Sequence, residues 1–338
     1  MNDRVLLTGI SGFLGGHIAL ALLRAGYQVR GSVRDLGRAE GVRAMLRQAG
    51  ADVARLEFCQ LDLTEDAGWD AAMAGCRYLQ HTASPFSLTM PGDRMELVTP
   101  AVEGTRRAIA AALRAGAERM VVTSSMAAIA YGHGPDRTRP FDGADWSQWQ
   151  APGINAYIES KTRAELEAWA LVEAAGRRSA LSTINPAVIL GPLLDADPGI
   201  SATIVQRLLR GQVPAAPRLP LTLVDVRDVA EAHVAAMVTP AAGGQRFPMG
   251  AATISLLELA NMLRPLYPQR RLPRMEIPDW VVRLYGLFDR SVRDNFDELG
   301  IPKRLDSSAV IALLGHDLIA PPATLAATAQ TLIAQGLA

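Results

Sequence analysis

Three regularly spaced glycines near the start of the chain constrain its fold more than any other feature. An apolar run at residues 5–7 is typical of a buried parallel strand. Gly9, Gly12 and Gly15 follow it, and residues 18–23 then have the pattern of a packed helix. Glycines in such a unit make a tight turn, let the backbone approach a pyrophosphate and allow close contact between helix and strand. Glycines alone often serve only turn geometry, but the order of strand, turn and helix predicts a dinucleotide site at the helix N-terminus.

The first half of the chain alternates between strand and helix patterns. This alternation predicts an α/β fold with a doubly wound parallel (Rossmann) sheet, which binds ligands at the carboxyl ends of its strands. The predicted strands are 4–8, 28–33, 56–60, 78–82, 120–123 and 180–184, and the predicted helices are 13–24, 38–49, 67–73, 94–115 and 154–175. We expect residues 1–185 to form the dinucleotide-binding domain and 186–338 a smaller, mainly helical substrate lobe, with 221–249 returning to the large sheet.

Composition excludes several classes of partner. The formal net charge of the 338 residues is zero, which argues against a nucleic-acid or anionic-membrane partner. No apolar run reaches the ~18 residues of a membrane span. Asp3 argues against a signal peptide, and two cysteines in a chain of this length favour a reducing, cytoplasmic setting without a disulfide framework. The five histidines show no metal-site spacing.

Tyr157 and Lys161 lie four residues apart in a predicted helix, so both side chains project from one face. An ammonium group beside a phenol favours the phenolate and is expected to lower the phenol pKa. A phenol of this kind can donate and accept a proton near neutral pH. The same spacing arises by chance on many solvated helices. We give it weight because the glycine motif lies in the same half of the chain.

The end of the second predicted strand bears on the choice of cofactor. Arg34 is the first charged residue past this strand, and an arginine there suits a 2′-phosphate, which favours NADP over NAD. Asp35 argues for NAD instead, because an acid at this point can bind a free ribose hydroxyl. A third interpretation is that Arg34 and Asp35 only form a solvated loop. Asp62 is predicted to lie near the adenine or to cap the following helix.

Two hydroxyl residues, Ser124 and Ser125, follow the apolar strand at 120–123. A serine at this edge of a parallel sheet can donate a hydrogen bond to a substrate carbonyl. The alternative is that both serines only satisfy backbone groups at the strand end.

Taken together, these motifs resemble the extended short-chain dehydrogenase/reductase family. The motifs are T-G-x-x-G-x-x-G at 8–15, T-S-S at 123–125 and Y-x-x-S-K at 157–161. Further segments are similar to the branch that contains dihydroflavonol 4-reductase, cinnamoyl-CoA reductase and fungal carbonyl reductases; they are residues 29–35, 81–86, 185–192, 224–230 and 306–337.

The resemblance implies a role for each matching residue. Tyr157 would exchange the proton, Lys161 would lower its pKa and hold the nicotinamide ribose, and Ser125 would orient the carbonyl. The cofactor positions it implies are Thr8, Gly9, Gly12, Phe13, Leu14, Gly15, Arg34, Asp62, Leu63, Ala83, Ser84, Ser124, Tyr157, Lys161, Pro186 and Val188. Many relatives carry an asparagine in the long helix before Gly-Thr, whereas residues 101–105 of this chain read Ala-Val-Glu-Gly-Thr, which leaves water and Lys161 for proton relay. Phe86, Met90 and Tyr131 are candidates for the substrate wall.

The sequence therefore predicts an NADP-dependent oxidoreductase that reversibly reduces a ketone or aldehyde to an alcohol. One alternative is a nucleotide-sugar epimerase-like isomerase, against which Arg34 and residues 81–86 weigh. Another is a steroid-type alcohol dehydrogenase working in the oxidative direction. A catalytically silent nucleotide sensor is the third, although such relatives commonly lose the Tyr/Lys pair. Helices 94–115 and 154–175 could build a homodimer contact.

Overall fold

The computed structural model describes residues 3–85, 92–134, 137–199, 201–287 and 299–338. The strands are β1 (Arg4–Thr8), β2 (Gln28–Val33), β3 (Leu56–Gln60), β4 (Tyr78–His81), β5 (Arg119–Thr123), β6 (Leu181–Pro186), β7 (Val188–Leu190), β8 (Ala216–Pro217), β9 (Pro220–Asp225), β10 (Arg246–Met249), β11 (Ala252–Ser255) and β12 (Glu276–Ile277). The helices are α1 (Phe13–Arg24), α2 (Ala39–Gln48), α3 (Trp69–Met73), α4 (Met95–Arg114), α5 (Ala156–Ala174), α6 (Ser201–Leu209), α7 (Val226–Val238), α8 (Leu256–Leu263), α9 (Asp279–Tyr285), α10 (Ser308–Leu314) and α11 (Pro321–Ala334).

The largest sheet has seven strands in the order β10-β6-β5-β4-β1-β2-β3, and all of its pairings are parallel. Successive residues of a strand face opposite sides of a sheet. Val5 and Leu7 of β1 accordingly pack in the core shared with α1, α2 and α7, whereas Leu6 packs in the core shared with α3, α4 and α5. These two cores confirm the predicted doubly wound α/β sheet.

The sheet changes winding direction between β1 and β4, which lie side by side although two strands separate them in sequence. Ligands of open α/β sheets bind beyond the carboxyl ends of strands at such a point. Thr8 and His81 are the last residues of these two strands and pair in register. The predicted glycine motif therefore begins where the topology favours a ligand.

The C-terminal lobe has its own core, built mainly from α6, α8, α11 and the strands β7 and β9. A three-stranded sheet, β11-β9-β7, and a two-stranded sheet, β12-β8, complete it. Sequence patterns predicted neither small sheet.

The segment 221–249 divides between the two parts of the molecule. Strand β9 pairs with β7 and β11 rather than joining the large sheet as expected, because Leu221 and Leu223 belong to the lobe core. Helix α7 packs against the large sheet through Val229 and Ala236, and β10 extends that sheet beside β6. Over the described ranges, no helix is both long enough and apolar enough to cross a membrane.

Candidate active site

The glycine turn brings α1 close to β1. Gly9 has a φ of +73°, and a Cβ on it would lie 2.9 Å from the amide nitrogen of Ala83. A Cβ on Gly15 would lie 2.0 Å from the carbonyl oxygen of Gly9, so only glycine lets the helix approach the turn this closely. Gly12 donates its N–H to the same carbonyl oxygen at 3.0 Å, which closes the turn.

The N-terminus of α1 has room for a phosphate group. The first backbone N–H groups of a helix have no partner within it, and here they belong to Phe13, Leu14 and Gly15. Gly12 is the exposed N-cap residue and offers no side chain to these donors. A Cβ on Gly12 would touch the Gly9 carbonyl oxygen at 3.4 Å and, chain neighbours aside, nothing else of the described chain within 4 Å. The residues therefore fit the pyrophosphate of a dinucleotide.

The start of α5 positions the Tyr/Lys pair. Asn155 caps this helix, since its side-chain oxygen accepts the N–H of Ile158 at 3.0 Å. Tyr157 then lies on the first turn and Lys161 on the second, and the Lys161 Nζ is 5.9 Å from the centre of the Tyr157 ring. Tyr157 is hydrogen-bonded to the side chain of Ser125, which follows β5 in the adjacent sheet.

Ser125 makes a second, local hydrogen bond. Its Oγ accepts the N–H of Ala127 at 3.1 Å and so caps a short 3-10 helix, Met126–Ala128. This bond holds Ser125 in place beside Tyr157, and its hydroxyl can still donate one hydrogen bond and accept another. The structure thus brings Ser125, Tyr157 and Lys161 together, as the sequence predicted.

The pKa of Tyr157 differs from the value that the sequence predicted. Burial raises the pKa of Tyr157 above its usual value, and the hydrogen bond with Ser125 opposes that rise without cancelling it. Burial also lowers the pKa of Lys161 to about 8. The predicted lowering of the phenol pKa by Lys161 is therefore wrong for the protein alone, because both charged forms lose water on burial.

Ser124 has a different orientation from Ser125. Its hydroxyl donates to the carboxylate of Glu165 at 2.5 Å, and both residues are buried. Ser124 also lines a small cavity that Lys161, Ala83 and Ser84 border. Of the two serines, Ser125 is the one hydrogen-bonded to Tyr157.

The end of β1 is fixed by Thr8. Its hydroxyl oxygen accepts the N–H groups of Thr82 and Ala83, each at 3.2 Å, and lies 2.8 Å from Nδ1 of His81. Burial lowers the pKa of His81 to about 3, so the ring is neutral. With two N–H groups already accepted, the Thr8 hydroxyl donates to Nδ1, which places the His81 proton on Nε2.

Arg34 and Asp35 differ in what they bind. Asp35 accepts the N–H of Gly37 at 2.8 Å and caps a short 3-10 helix, Leu36–Arg38. Arg34 is exposed directly after β2, and its backbone oxygen accepts a hydrogen bond from Gln60 at 3.1 Å. Arg34 thus presents a cation at the tip of β2, while a capping contact already occupies Asp35.

Asp62 and Leu63 follow the next strand, β3. The Asp62 carboxylate accepts the backbone N–H of Thr64 at 2.8 Å and its hydroxyl at 2.6 Å, and these bonds lower the Asp62 pKa. Asp62 therefore caps a local turn and not α3, which begins only at Trp69. Leu63 lies against α4, where a Cβ on Gly104 would come 3.0 Å from the Leu63 Cβ.

The remaining predicted residues lie between the sheet and the lobe. Pro186 ends β6 and is buried, while Val188 begins β7 and is half-buried. Tyr131 is half-buried and packs with Tyr157 against Ala127 and neighbouring isoleucines. Phe86 and Met90, predicted to line the substrate cleft, lie outside the described residues.

Comparison with known proteins identifies the family. A model of the NAD dependent epimerase/dehydratase family matches residues 5–250. The chain belongs to this family. The predicted resemblance to extended short-chain dehydrogenases/reductases is thereby confirmed.

Within the epimerase/dehydratase family, the chain is similar to several reductases. It is 36% identical over 267 residues to cinnamoyl-CoA reductase 1 of Oryza sativa subsp. japonica, covering 78% of this chain and 76% of that protein. It is 32% identical over 314 residues to ketoreductase azaE of Aspergillus niger, covering 86% and 91%. The structure of yeast methylglyoxal/isovaleraldehyde reductase Gre2 complexed with NADPH has the same fold, with a TM-score of 0.80, 24% identity and coverage of 99% and 100%.

The sequence analysis did not identify one prominent feature beside Lys161, which is the buried carboxylate of Glu165 and its ion pair with Arg246. Glu165 is four residues beyond Lys161, so the helical spacing that drew attention to Tyr157 and Lys161 would also have found it. Arg246 gave no signal in the sequence. The described ranges contain no group of histidine, cysteine or acidic residues that could hold a metal ion.

Proposed function

We propose that this protein is an NADPH-dependent reductase that converts a ketone or aldehyde to an alcohol. The observation that carries the proposal is the hydrogen-bonded pair Ser125 and Tyr157, with Lys161 one turn away, at the sheet edge where the glycine turn begins. Bound NADPH would supply the hydride. Phe13, Leu14 and Gly15 would hold its pyrophosphate.

The chain's own residues supply the proton and the orientation. The hydroxyls of Ser125 and Tyr157 would bind the carbonyl oxygen, and Tyr157 would protonate that oxygen as negative charge develops on it. A raised pKa keeps the Tyr157 phenol protonated at neutral pH, as a proton donor must be. Lys161, with a pKa of about 8, is mostly an ammonium there and favours the phenolate that remains.

Tyr157→Phe tests the proton donor. The variant removes the hydroxyl and leaves the ring, so we expect it to fold and bind NADPH while turnover falls about 10²- to 10⁴-fold, the usual contribution of a general acid. Turnover is followed as loss of nicotinamide absorbance with a panel of ketones and aldehydes. Unchanged turnover would exclude Tyr157 as the donor.

The cofactor preference rests on Arg34. An exposed arginine suits a 2′-phosphate, and Asp35 is engaged by Gly37. The reductase Gre2 was crystallised with NADPH. We expect Arg34→Ala to weaken NADPH binding about 10- to 150-fold and to leave NADH binding nearly unchanged, since a charge-assisted contact contributes about 1.5–3 kcal/mol. Titration of both nucleotides measures this, and equal losses would remove the basis for the preference.

Two other classes of reaction stay open to test. The family description includes epimerases, which return the hydride to the same substrate. The relatives named above are reductases, and this favours net consumption of NADPH. Stoichiometric loss of NADPH with a carbonyl compound supports the reductase, whereas substrate isomerisation at constant NADPH supports the isomerase. A panel of alcohols with NADP tests the oxidative, steroid-type direction.

We also propose a homodimer and a cytoplasmic setting. Helices α4 and α5 pack against each other, and they expose Met95 and Leu166 at 43% and 39% of their surface. Both cysteines are free thiols, as expected in a reducing compartment. Light scattering at working concentration tests the dimer.

A further inference from the structure

Glu165 continues the line of functional residues along α5. It lies eight residues after Tyr157 and four after Lys161, so the three side chains occupy successive turns of one helix face. Its side chain is 0% exposed, and its carboxylate lies 2.6 Å from Nε of Arg246, whose side chain is 6% exposed. A buried ion pair is costly unless further hydrogen bonds satisfy both partners.

Those further hydrogen bonds come from the neighbouring strands and from α5 itself. Besides Arg246 of β10, four side chains of the described residues donate to the Glu165 carboxylate. They are Ser124 at 2.5 Å, Asn185 at 2.7 Å, Thr183 at 2.8 Å and Trp169 at 3.2 Å. Glu165 therefore ties α5 to the ends of β5 and β6, next to Ser125.

The bond to Ser124 determines where the Ser124 proton points. A hydroxyl has a single proton, and Ser124 donates it to Glu165. The Ser124 oxygen can then act only as an acceptor toward the small cavity that it shares with Lys161.

The same holds for Thr123, which also lines this cavity. Gln80 donates its amide N–H to the backbone oxygen of His233 at 2.9 Å, so its own oxygen accepts the Nδ1 proton of His233 at 2.7 Å. Nε2 of His233 is then an acceptor, and the Thr123 hydroxyl donates to it at 2.9 Å. Thr123, like Ser124, presents only lone pairs to the cavity.

The cavity is small, and polar and apolar side chains both line it. Its volume of about 10 Å³ is close to what a single water molecule needs. Among the residues that the structure describes, three charged or titratable groups face Lys161: Glu165 and Tyr157 from α5, and the neutral ring of His81 from β4. Oxygen acceptors around an amine favour its ammonium form, whereas burial disfavours it.

We propose that Glu165 is a positioning residue for Lys161. By holding the Ser124 proton, it leaves the Ser124 oxygen, like that of Thr123, as an acceptor in the cavity, and these acceptors keep Lys161 in the ammonium form beside Tyr157. The relevance to catalysis rests on the proposed reductase function, but the effect on Lys161 does not.

The sequence permits a direct measurement, because Lys161 and Lys303 are its only two lysines. Protein labelled with ¹³Cε-lysine gives two lysine signals, which Lys303→Arg assigns, and the shift of Lys161 with pH reports its protonation. Ser124→Ala removes one acceptor from the cavity. Glu165→Gln can offer an N–H to Ser124 and so release the Ser124 proton toward Lys161, but it also removes a negative charge that faces Lys161, so Ser124→Ala is the variant that isolates the acceptor. Thr183→Val is the matched control, since it removes a hydrogen bond to Glu165 from a residue that does not line the cavity.

We expect Ser124→Ala and Glu165→Gln to lower the titration midpoint of Lys161 by at least about half a pH unit, and Thr183→Val to leave it unchanged. In active protein, the alkaline limb of the pH–turnover profile moves the same way. An unshifted midpoint in Ser124→Ala, or an equal shift in Thr183→Val, would overturn the proposal. Ser124→Ala decides the matter if Glu165→Gln fails to fold. The titration needs no substrate, so a wild type without reductase activity would count against the proposed function alone.

Discussion

Gly12→Ala separates the binding role of the glycine turn from its structural role. The new methyl group would meet the Gly9 carbonyl oxygen at 3.4 Å, an ordinary van der Waals contact, and Gly12 has a φ of −89° that alanine adopts readily. The fold should therefore tolerate the change. The methyl would nevertheless project from the N-cap of α1, where we place the pyrophosphate.

The expected magnitudes follow from these contacts. Alanine is a poorer N-cap than glycine, so we expect a loss of about 0.5–1 kcal/mol in the free energy of unfolding. Displacing the pyrophosphate from the helix N-terminus removes several hydrogen bonds to a charged ligand, each worth about 1.5–3 kcal/mol. Two such bonds correspond to a rise in the NADPH dissociation constant of at least about 100-fold.

Substitutions of two other glycines serve as controls for Gly12→Ala. Gly15→Ala would put a Cβ 2.0 Å from the Gly9 carbonyl oxygen, so we expect it to cost more than the about 1–3 kcal/mol typical of overpacking. A Cβ on Gly41, exposed in α2, meets nothing within 4 Å, so Gly41→Ala should stabilise the helix by about 0.5–1 kcal/mol. Urea unfolding and NADPH titration are measured on all three. Wild-type NADPH affinity in Gly12→Ala would refute the assignment of the pyrophosphate to this turn.

Two further predictions concern buried charges. Arg246→Met leaves the Glu165 carboxylate buried without its cation, and we expect it to lower the free energy of unfolding by about 3–5 kcal/mol in urea titrations; a loss below about 1 kcal/mol would contradict the importance of this pair. Burial, and to a smaller extent the nearby charge of Asp225, raises the pKa of Asp228 to about 6. The folded state therefore binds this proton more tightly than the unfolded chain does, and the free energy of unfolding falls as pH rises from about 4 to 6. Asp228→Asn, which can still accept the N–H of Ile319, should therefore raise the melting temperature more at pH 8 than at pH 4, and an equal change at both would exclude this titration.

The large sheet was predictable because its signals are local. The apolar run of β1, the glycine turn and the periodic residues of α1 all lie within about 20 residues, and the predicted bounds 4–8 and 13–24 are those observed. Strand β9 was placed in the wrong sheet, since its alternating residues serve both cores and only the pairing with β7 decides between them. Pairing partners of this kind cannot be read from periodicity.

In the candidate site, too, the local features were predictable and the long-range contacts were not. Tyr157 and Lys161 share one helix, so their spacing predicted their proximity. The direction of the phenol pKa depends on burial, which only the packing of distant segments determines. The donors to Glu165 lie 18 to 81 residues away, apart from Trp169, so nothing in the local sequence identified them.

Ser125 complements the Tyr/Lys pair in the proposed mechanism. Burial acts on both members in the direction of neutrality, raising the pKa of Tyr157 and lowering that of Lys161. A neutral phenol is ready to donate, but the phenolate left after proton transfer would be poorly solvated. The hydrogen bond with the Ser125 side chain opposes this penalty, because it counters the rise in the Tyr157 pKa that burial causes. In the proposed mechanism the single Ser125 proton would be donated to the carbonyl oxygen while substrate is bound and could turn to the Tyr157 oxygen after proton transfer, so one hydroxyl would serve the two steps in succession.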